Sequence, residues 1–247
     1  MTESSENPGS EKSKLMFLVN RPESMTFILL IVALFGASML SEYFLDVNYI
    51  LKSFTLTAEL SIAALVLTMV IISGEIDLSA AANIALSACV FAYVQAIGVP
   101  MSLAILAGIT SGFLMGTLNA ILVIRYQLPS IIVTIGTLIF YRGLAQVIAG
   151  DKSIRVPEWF IGINNKMVLG IPLPVIFFII TAIALGFILG ATIYGRQIYQ
   201  VGTNNTAALH AGIKSNRIKF GLFILLGVVS AACGIMAASR LGSVRYD

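Results

Sequence analysis

Long apolar runs separated by short polar connections dominate the chain. A membrane helix needs roughly 20 predominantly apolar residues to cross about 30 Å of hydrocarbon. Seven runs approach that length: Met25–Phe44, Phe54–Ser73, Ile76–Ile97, Met101–Ile124, Leu128–Ala149, Ile171–Tyr194 and Phe220–Ser239. The pattern therefore predicts an all-α fold, a polytopic membrane helix bundle with about seven transmembrane segments.

Two neighbouring runs are separated only by Gly74 and Glu75, within the stretch IISGEIDLSAAANIAL. Lipid tolerates irregular backbone only where protein or a watery cavity surrounds it, and charges at membrane depth are costly. We therefore predict one helix broken near Gly74, beside a polar pathway. The polar side chains that follow at once are Asp77, Ser79 and Asn83. They could present polar groups to a cavity or only cap helix-end amides, and the residues leave both interpretations open.

Composition agrees with a membrane location and excludes several function classes. Hydrophobic residues make up 58% of the chain, charged residues only 11%, and the mean hydropathy is +0.95. A soluble domain of this length would need far more polar surface. The net charge of +3 is too small to indicate a nucleic-acid-binding protein. Cys89 and Cys233 lie in apolar runs and are expected to pack between helices, so we predict no metal site and no cofactor.

The sequence offers no machinery for catalysis within the membrane. Its one histidine, His210, lies in a polar connection, and neither an HExxH nor a GxSxG motif is present. The fragment Gly212–Ser215 lacks the glycine that directly precedes the lysine of a phosphate-binding loop. We therefore predict that the chain is not an enzyme and hydrolyses no nucleotide by itself.

Two longer connections indicate the orientation. Segment 195–219 carries four Lys or Arg residues and no acid, whereas segment 150–170 mixes three basic with two acidic residues. The positive-inside rule places segment 195–219 in the cytoplasm. Counting crossings backwards then places segment 150–170 outside and the polar tail 1–24 inside, followed by a transmembrane domain over 25–247.

Several intramembrane positions could serve either packing or function. Gly108, Gly112 and Gly116 form a stripe of small residues that lets another backbone approach, more often within a bundle than at a dimer face. Glu59 and Arg142 lie inside apolar runs. They fit a polar pathway or a buried ion pair, and equally side chains that reach the membrane interface.

A short helix is predicted inside segment 195–219. Asn204 or Asn205 can cap it, its body is Thr206–Ala211, and Gly212 suits the position after its end. Because so short a helix does not hold in water alone, it needs a packing partner. Small residues and one larger anchor suggest docking into another protein: Ala207, Ala208, Ala211 and Leu209.

Three ordered segments carry a family resemblance: SGEIDLSAA (73–81), LPSIIVTIGTLIFYRGL (128–144) and GRQIYQVGTNNTAALHAGI (195–213). They resemble motifs of the membrane-spanning permease subunits of bacterial ATP-binding-cassette importers for monosaccharides, the ribose, xylose, rhamnose and autoinducer type. The resemblance implies a bundle of about ten helices in the bacterial inner membrane. It also implies partners: a cytoplasmic ATP-binding subunit, a periplasmic sugar-binding protein and a second permease subunit, identical or different.

The resemblance assigns expected roles to residues of this chain. The substrate pathway and broken helix would involve Ser73, Gly74, Glu75, Asp77, Ser79, Asn83 and Arg142. The ATPase-coupling loop would involve Gly202, Asn204, Ala207, Ala208, Leu209 and Gly212.

This chain departs from the family pattern at two positions and in length. Glu75 stands where the family usually has a second glycine, and Ala81 stands where a glycine follows the serine. The chain also stops where the resemblance implies roughly three more helices. Two alternative functions therefore stay open: a self-sufficient secondary carrier or channel, and a truncated membrane assembly protein that does not transport.

Overall fold

The computed structural model describes residues 22–150 and 153–245. The predicted polar tail lies almost entirely outside these residues. Within the described ranges the helices are α1 (Pro22–Leu40), α2 (Val47–Thr55), α3 (Ala58–Ile72), α4 (Ala80–Ala96), α5 (Met101–Ala120), α6 (Ser130–Ala149), α7 (Leu173–Ala191), α8 (Ile193–Thr203), α9 (Asn205–His210) and α10 (Ser215–Leu241). A π-helical turn, Ile121–Arg125, extends α5. The all-α membrane bundle predicted from the sequence is thus confirmed.

The chain divides into two compact units, residues 1–52 and residues 53–247. In the first unit, α1 carries mostly exposed apolar side chains, such as Phe27 and Val32. The start of α2 is capped by Asp46, whose Oδ1 accepts a hydrogen bond from the backbone N–H of Asn48 at 2.7 Å. Because such caps satisfy otherwise unpaired amides, Asp46 fixes where α2 begins.

The second unit is built around α10, which packs against α3, α4 and α5. The glycine stripe of α5 lies at the contact with α10: a Cβ at Gly112 would collide with the Gly227 carbonyl oxygen, and one at Gly116 with the Phe223 carbonyl oxygen. Without side chains, the two backbones can approach closely. In this chain the stripe therefore serves packing inside the bundle.

Among the described residues, four helical segments are long and apolar enough to cross a membrane: Met101–Arg125, Ser130–Ala149, Leu173–Ala191 and Ser215–Leu241. The pair α2 and α3 gives a fifth if counted as one broken span, and two shorter apolar helices, Ser24–Leu40 and Ala80–Ala96, accompany them. Each of the seven predicted runs contains helix, while the number of seven crossings stays a prediction.

Segment 150–170 contains short strands that the hydrophobic pattern did not predict. β1 (Ile154–Arg155) pairs antiparallel with β4 (Ser243–Val244), and β2 (Met167–Val168) pairs with β3 (Ile171–Pro172). A 3-10 turn, Ile163–Asn165, lies between β1 and β2 in sequence. The β1–β4 pair ties this segment to the chain that follows α10.

Candidate functional site

The predicted break lies between α3 and α4. Helix α3 ends at Ile72, and Gly74 takes a left-handed conformation, with φ of +87°, that a residue with a side chain adopts only with strain. The Ser73 hydroxyl donates to the Val70 carbonyl oxygen at 2.7 Å and satisfies part of the helix end. Non-helical backbone then continues to Ser79, so the interruption is complete rather than a kink.

A buried polar network joins the break to α5. Asp77 Oδ1 accepts hydrogen bonds from the Ser79 backbone N–H at 2.8 Å and from the Ser79 hydroxyl at 2.7 Å. Asn119 Nδ2 donates to Ser79 Oγ at 2.8 Å and reaches Asp77 Oδ2 at 3.3 Å. All three residues are at least 96% buried. The Asp77 carboxyl group therefore has hydrogen-bond partners inside the protein, as a buried polar group must.

Helix α6 holds the break from its other side. The Ile76 backbone N–H donates to Ser130 Oγ at 3.2 Å, and Thr134 Oγ1 lies 3.4 Å from the Ile76 carbonyl oxygen. Tyr141, also on α6, extends the network: its hydroxyl lies 3.2 Å from Asn119 Oδ1. The irregular backbone thus has hydrogen-bond partners on α6, and α5 binds the side chains of the break through Asn119. Such partners are the condition for irregular backbone at membrane depth.

Glu75, which the resemblance places where a glycine is usual, forms an ion pair. Lys219 Nζ lies 2.7 Å from Glu75 Oε1, and the two side chains are only 13% and 17% exposed, respectively. Lys219 lies in α10 and is the last residue of the polar segment 195–219. The unexpected carboxylate therefore links the break to the segment expected to meet an ATPase. Sequence spacing gave no sign of this pair, because the residues are 144 positions apart.

Segment 195–219 is mostly helical. The sequence predicted only its short helix and did not predict α8. Helix α8 buries Gly195, Ile198 and Val201, spaced three residues apart on one face. A Cβ at Gly202 would collide with the Ile72 carbonyl oxygen at the end of α3. The backbone of α8 is therefore seated directly against the break, at a point where only a glycine fits.

The short predicted helix is present as α9. Asn204 Oδ1 accepts from the Ala207 backbone N–H at 3.0 Å, and Gly212 has a φ of +81° just beyond the helix. Ala207 and Leu209 are exposed, whereas Ala208 is only 4% exposed. Ala208 packs in this protein's own core, so a partner that docks on α9 would meet Ala207 and Leu209 instead.

A cavity of about 410 Å³ lies beside α4, α6 and α10. Its lining combines small side chains with two arginines: Ala81, Ile84, Ala85, Ala88, Arg142, Gly234, Ala237, Ala238, Leu241, Ser243, Val244 and Arg245. Asp77 and Ser79 do not line it. Asn83 does not line it either, and its Oδ1 accepts from Ser87 Oγ at 3.1 Å. The residues expected to form one pathway therefore occupy separate places, and Arg142 alone among them faces this cavity.

Glu59 has partners that the sequence reading did not identify. Its Oε1 lies 2.9 Å from Arg240 Nε and accepts from Asn164 Nδ2 at 3.0 Å. Glu59 is 3% exposed, so it forms a buried ion pair rather than reaching the membrane interface. The cluster fastens segment 150–170 to α3 and α10. Across the described residues, no group of three or more His, Cys, Asp or Glu side chains could hold a metal ion.

Comparisons with known proteins agree with the resemblance read from the motifs. The family described as "branched-chain amino acid transport system / permease component" matches residues 49–247. The autoinducer 2 import system permease protein LsrD of Escherichia coli (strain K12) is 33% identical over 226 residues, covering 89% of this chain and 68% of LsrD. The protein of that name from Enterobacter sp. (strain 638) is 33% identical over 234 residues, covering 91% and 71%. No solved structure matches the chain significantly.

Proposed function

Because the chain belongs to the family of branched-chain amino acid transport system permease components, we propose that it lines the membrane path of an ATP-driven importer for a monosaccharide or a related sugar-derived solute. The chain is a multi-pass protein of the bacterial inner membrane and a transport subunit of an import system. Its relatives are named for autoinducer 2 import, and we extend to this chain only the class of small, sugar-derived solute.

The observation that supports this function best is the contact between segment 195–219 and the break. Within α8, Gly202 abuts the Ile72 carbonyl oxygen. At the end of the segment, Lys219 pairs with Glu75. A force applied to this segment would therefore reach the interrupted backbone through two separate contacts. Close-packed contacts transmit displacement instead of absorbing it, which suits a coupling element.

The proposed partners follow from this arrangement. A cytoplasmic ATP-binding subunit would dock on the exposed face of α9, where Leu209 is 52% exposed. Segment 195–219 and the tail 1–24 would lie in the cytoplasm, and segment 150–170 would face the periplasm and a sugar-binding protein. A second permease subunit, identical or different, would complete the path. ATP hydrolysis would occur only in the ATP-binding subunit.

The cavity that contains Arg142 is the proposed part of the solute path in this chain. Its volume of about 410 Å³ suits a small solute, and its alanine and glycine lining leaves room without strong selectivity. The guanidinium of Arg142 can donate hydrogen bonds to hydroxyl or carbonyl oxygens of a sugar. Asp77 supports the path indirectly, because its network fixes the backbone between α3 and α4.

Reconstitution distinguishes this proposal from its alternatives. The full chain would be placed in vesicles with the ATP-binding, sugar-binding and second permease subunits of its own system, and uptake of tritiated ribose and of autoinducer 2 would be measured. We expect the ATP-binding subunit to co-purify with the chain and uptake to require ATP. Uptake without the ATP-binding subunit would instead establish a self-sufficient carrier. Failure of that subunit to co-purify would favour a membrane assembly protein.

A further inference from the structure

A second cavity, of about 510 Å³, lies where the π-helical turn after α5 meets the first turns of α10. Its lining is Ile124, Arg125, Gln127, Asn216, Arg217, Phe220 and Gly221. It shares no residue with the Arg142 cavity or with the polar network of Asp77. The function proposed above does not use it.

The cavity is cationic and rich in hydrogen-bond donors. Arg125 and Arg217 come from separate elements, and the amides of Gln127 and Asn216 add further donors. Its lining contains no carboxylate. Within residues 22–150 and 153–245, neither guanidinium forms an ion pair. Two unpaired guanidiniums on one cavity create a site for an anion that accepts bidentate hydrogen bonds.

The cavity lies at the ends of two apolar spans, where a membrane would place its lipid headgroups. Two spans that are long and apolar enough to cross a membrane, Met101–Arg125 and Ser215–Leu241, both end at it. Ile124 and Phe220 supply apolar walls towards the spans, and Tyr126, next to Arg125, is 67% exposed. Tyrosines concentrate at the membrane–water interface. The site thus has an apolar side and a charged side, in the order in which a phospholipid presents its chains and its phosphate.

We propose that this cavity binds the headgroup of an anionic phospholipid, with Arg125 and Arg217 holding the phosphate. Basic pockets between membrane helices are known to accept anionic headgroups. Free phosphate carries the same charge but would leave the apolar walls formed by Ile124 and Phe220 exposed to water. An acidic segment of a protein partner would fit the charge, but it would not need a pocket that continues into the membrane-facing ends of two spans. The geometry therefore favours a lipid.

The test uses native mass spectrometry of the purified full chain in detergent. Phosphatidylglycerol and phosphatidylcholine with identical acyl chains would be titrated against wild type and against the double variant Arg125→Gln/Arg217→Gln. We expect phosphatidylglycerol to bind wild type at least tenfold more tightly than phosphatidylcholine. The double variant should bind phosphatidylglycerol roughly ten- to thirtyfold more weakly, given the contribution of two basic residues near a membrane surface. Arg196→Gln, an exposed arginine of α8 outside this cavity, is the matched control and should bind like wild type.

Further arms of the experiment separate the possible ligands. Millimolar inorganic phosphate should not displace the lipid, and full displacement would show a site for free phosphate instead. Equal lipid binding by wild type and the double variant would overturn the proposal, and loss of the ATP-binding subunit by that variant would then reassign the cavity to a protein interface. Because both arginines are exposed, the substitutions should leave the fold intact, and an unchanged elution volume in size-exclusion chromatography checks this.

Discussion

The contact between α8 and the end of α3 gives a quantitative prediction. In Gly202→Ala, an added Cβ would lie 2.8 Å from the Ile72 carbonyl carbon and closer still to its oxygen, so one backbone must move. Overfilling a packed contact costs about 1–3 kcal/mol. Alanine also favours a helix over glycine by about 1 kcal/mol, which offsets part of that cost. Gly190→Ala is the matched control, because Gly190 occupies the last turn of α7 and has no neighbour within 4 Å of an added Cβ.

The difference between the two variants isolates the contact from helix propensity. Unfolding in mixed micelles with increasing dodecyl sulfate should show Gly202→Ala to be less stable than Gly190→Ala by about 1–3 kcal/mol. In the reconstituted importer, Gly202→Ala should also reduce uptake per ATP hydrolysed, because the displaced α8 no longer seats on the break. Equal stability and equal uptake in both variants would refute the inference that α8 presses on the break.

The remaining predictions concern the network, the α9 surface and the topology. Asp77→Ala should lower the free energy of unfolding by about 1–3 kcal/mol, because it leaves buried hydrogen-bond donors unpaired. Asp77→Asn should lower it less, because one acceptor oxygen remains. Equal losses of stability in the two variants would contradict this prediction. Leu209→Asp should abolish co-purification of the ATP-binding subunit without changing the stability of the chain. Ala208→Trp should instead destabilise the chain. If Leu209→Asp destabilised the chain and Ala208→Trp abolished only co-purification, the exposed and buried faces of α9 would be the reverse of those assigned. Cysteines introduced at the exposed Ser153 and Ala211 should react with impermeant maleimide from opposite sides of the membrane, and labelling of both from one side would overturn the crossing order.

The hydrophobic pattern was sufficient to predict the membrane helix bundle, because each membrane span requires a long apolar run that is easily found in the sequence. The run Met101–Ile124, for example, is the span Met101–Arg125 in the structure. The glycine stripe at Gly108, Gly112 and Gly116 also predicted a close helix contact, because glycines on one helix face let a second backbone approach closely. The partner helix, α10, could not be identified because spacing carries no information on which helix approaches.

The parts that the sequence did not predict depend on tertiary contacts. Helix α8 contains two glycines and a threonine among eleven residues, so its helix propensity is low, and it is helical because one face packs on the bundle. The burial of Ala208 in the core could not be predicted from the sequence, because alanine is common on both the buried and the exposed face of a helix. The ion pair of Glu75 with Lys219 joins residues that are 144 positions apart. The order of charged residues along the sequence therefore does not predict this pair.

The central claim is that an ATP-binding subunit acts on the membrane path through segment 195–219. A photo-crosslinking amino acid at Leu209 tests it most directly, with one at Val147, which is 80% exposed on α6, as the control. In the assembled importer, irradiation should join Leu209 to the ATP-binding subunit and should give no such adduct from Val147. Absence of the Leu209 adduct in a complex that still transports, or an equal adduct from Val147, would contradict the account.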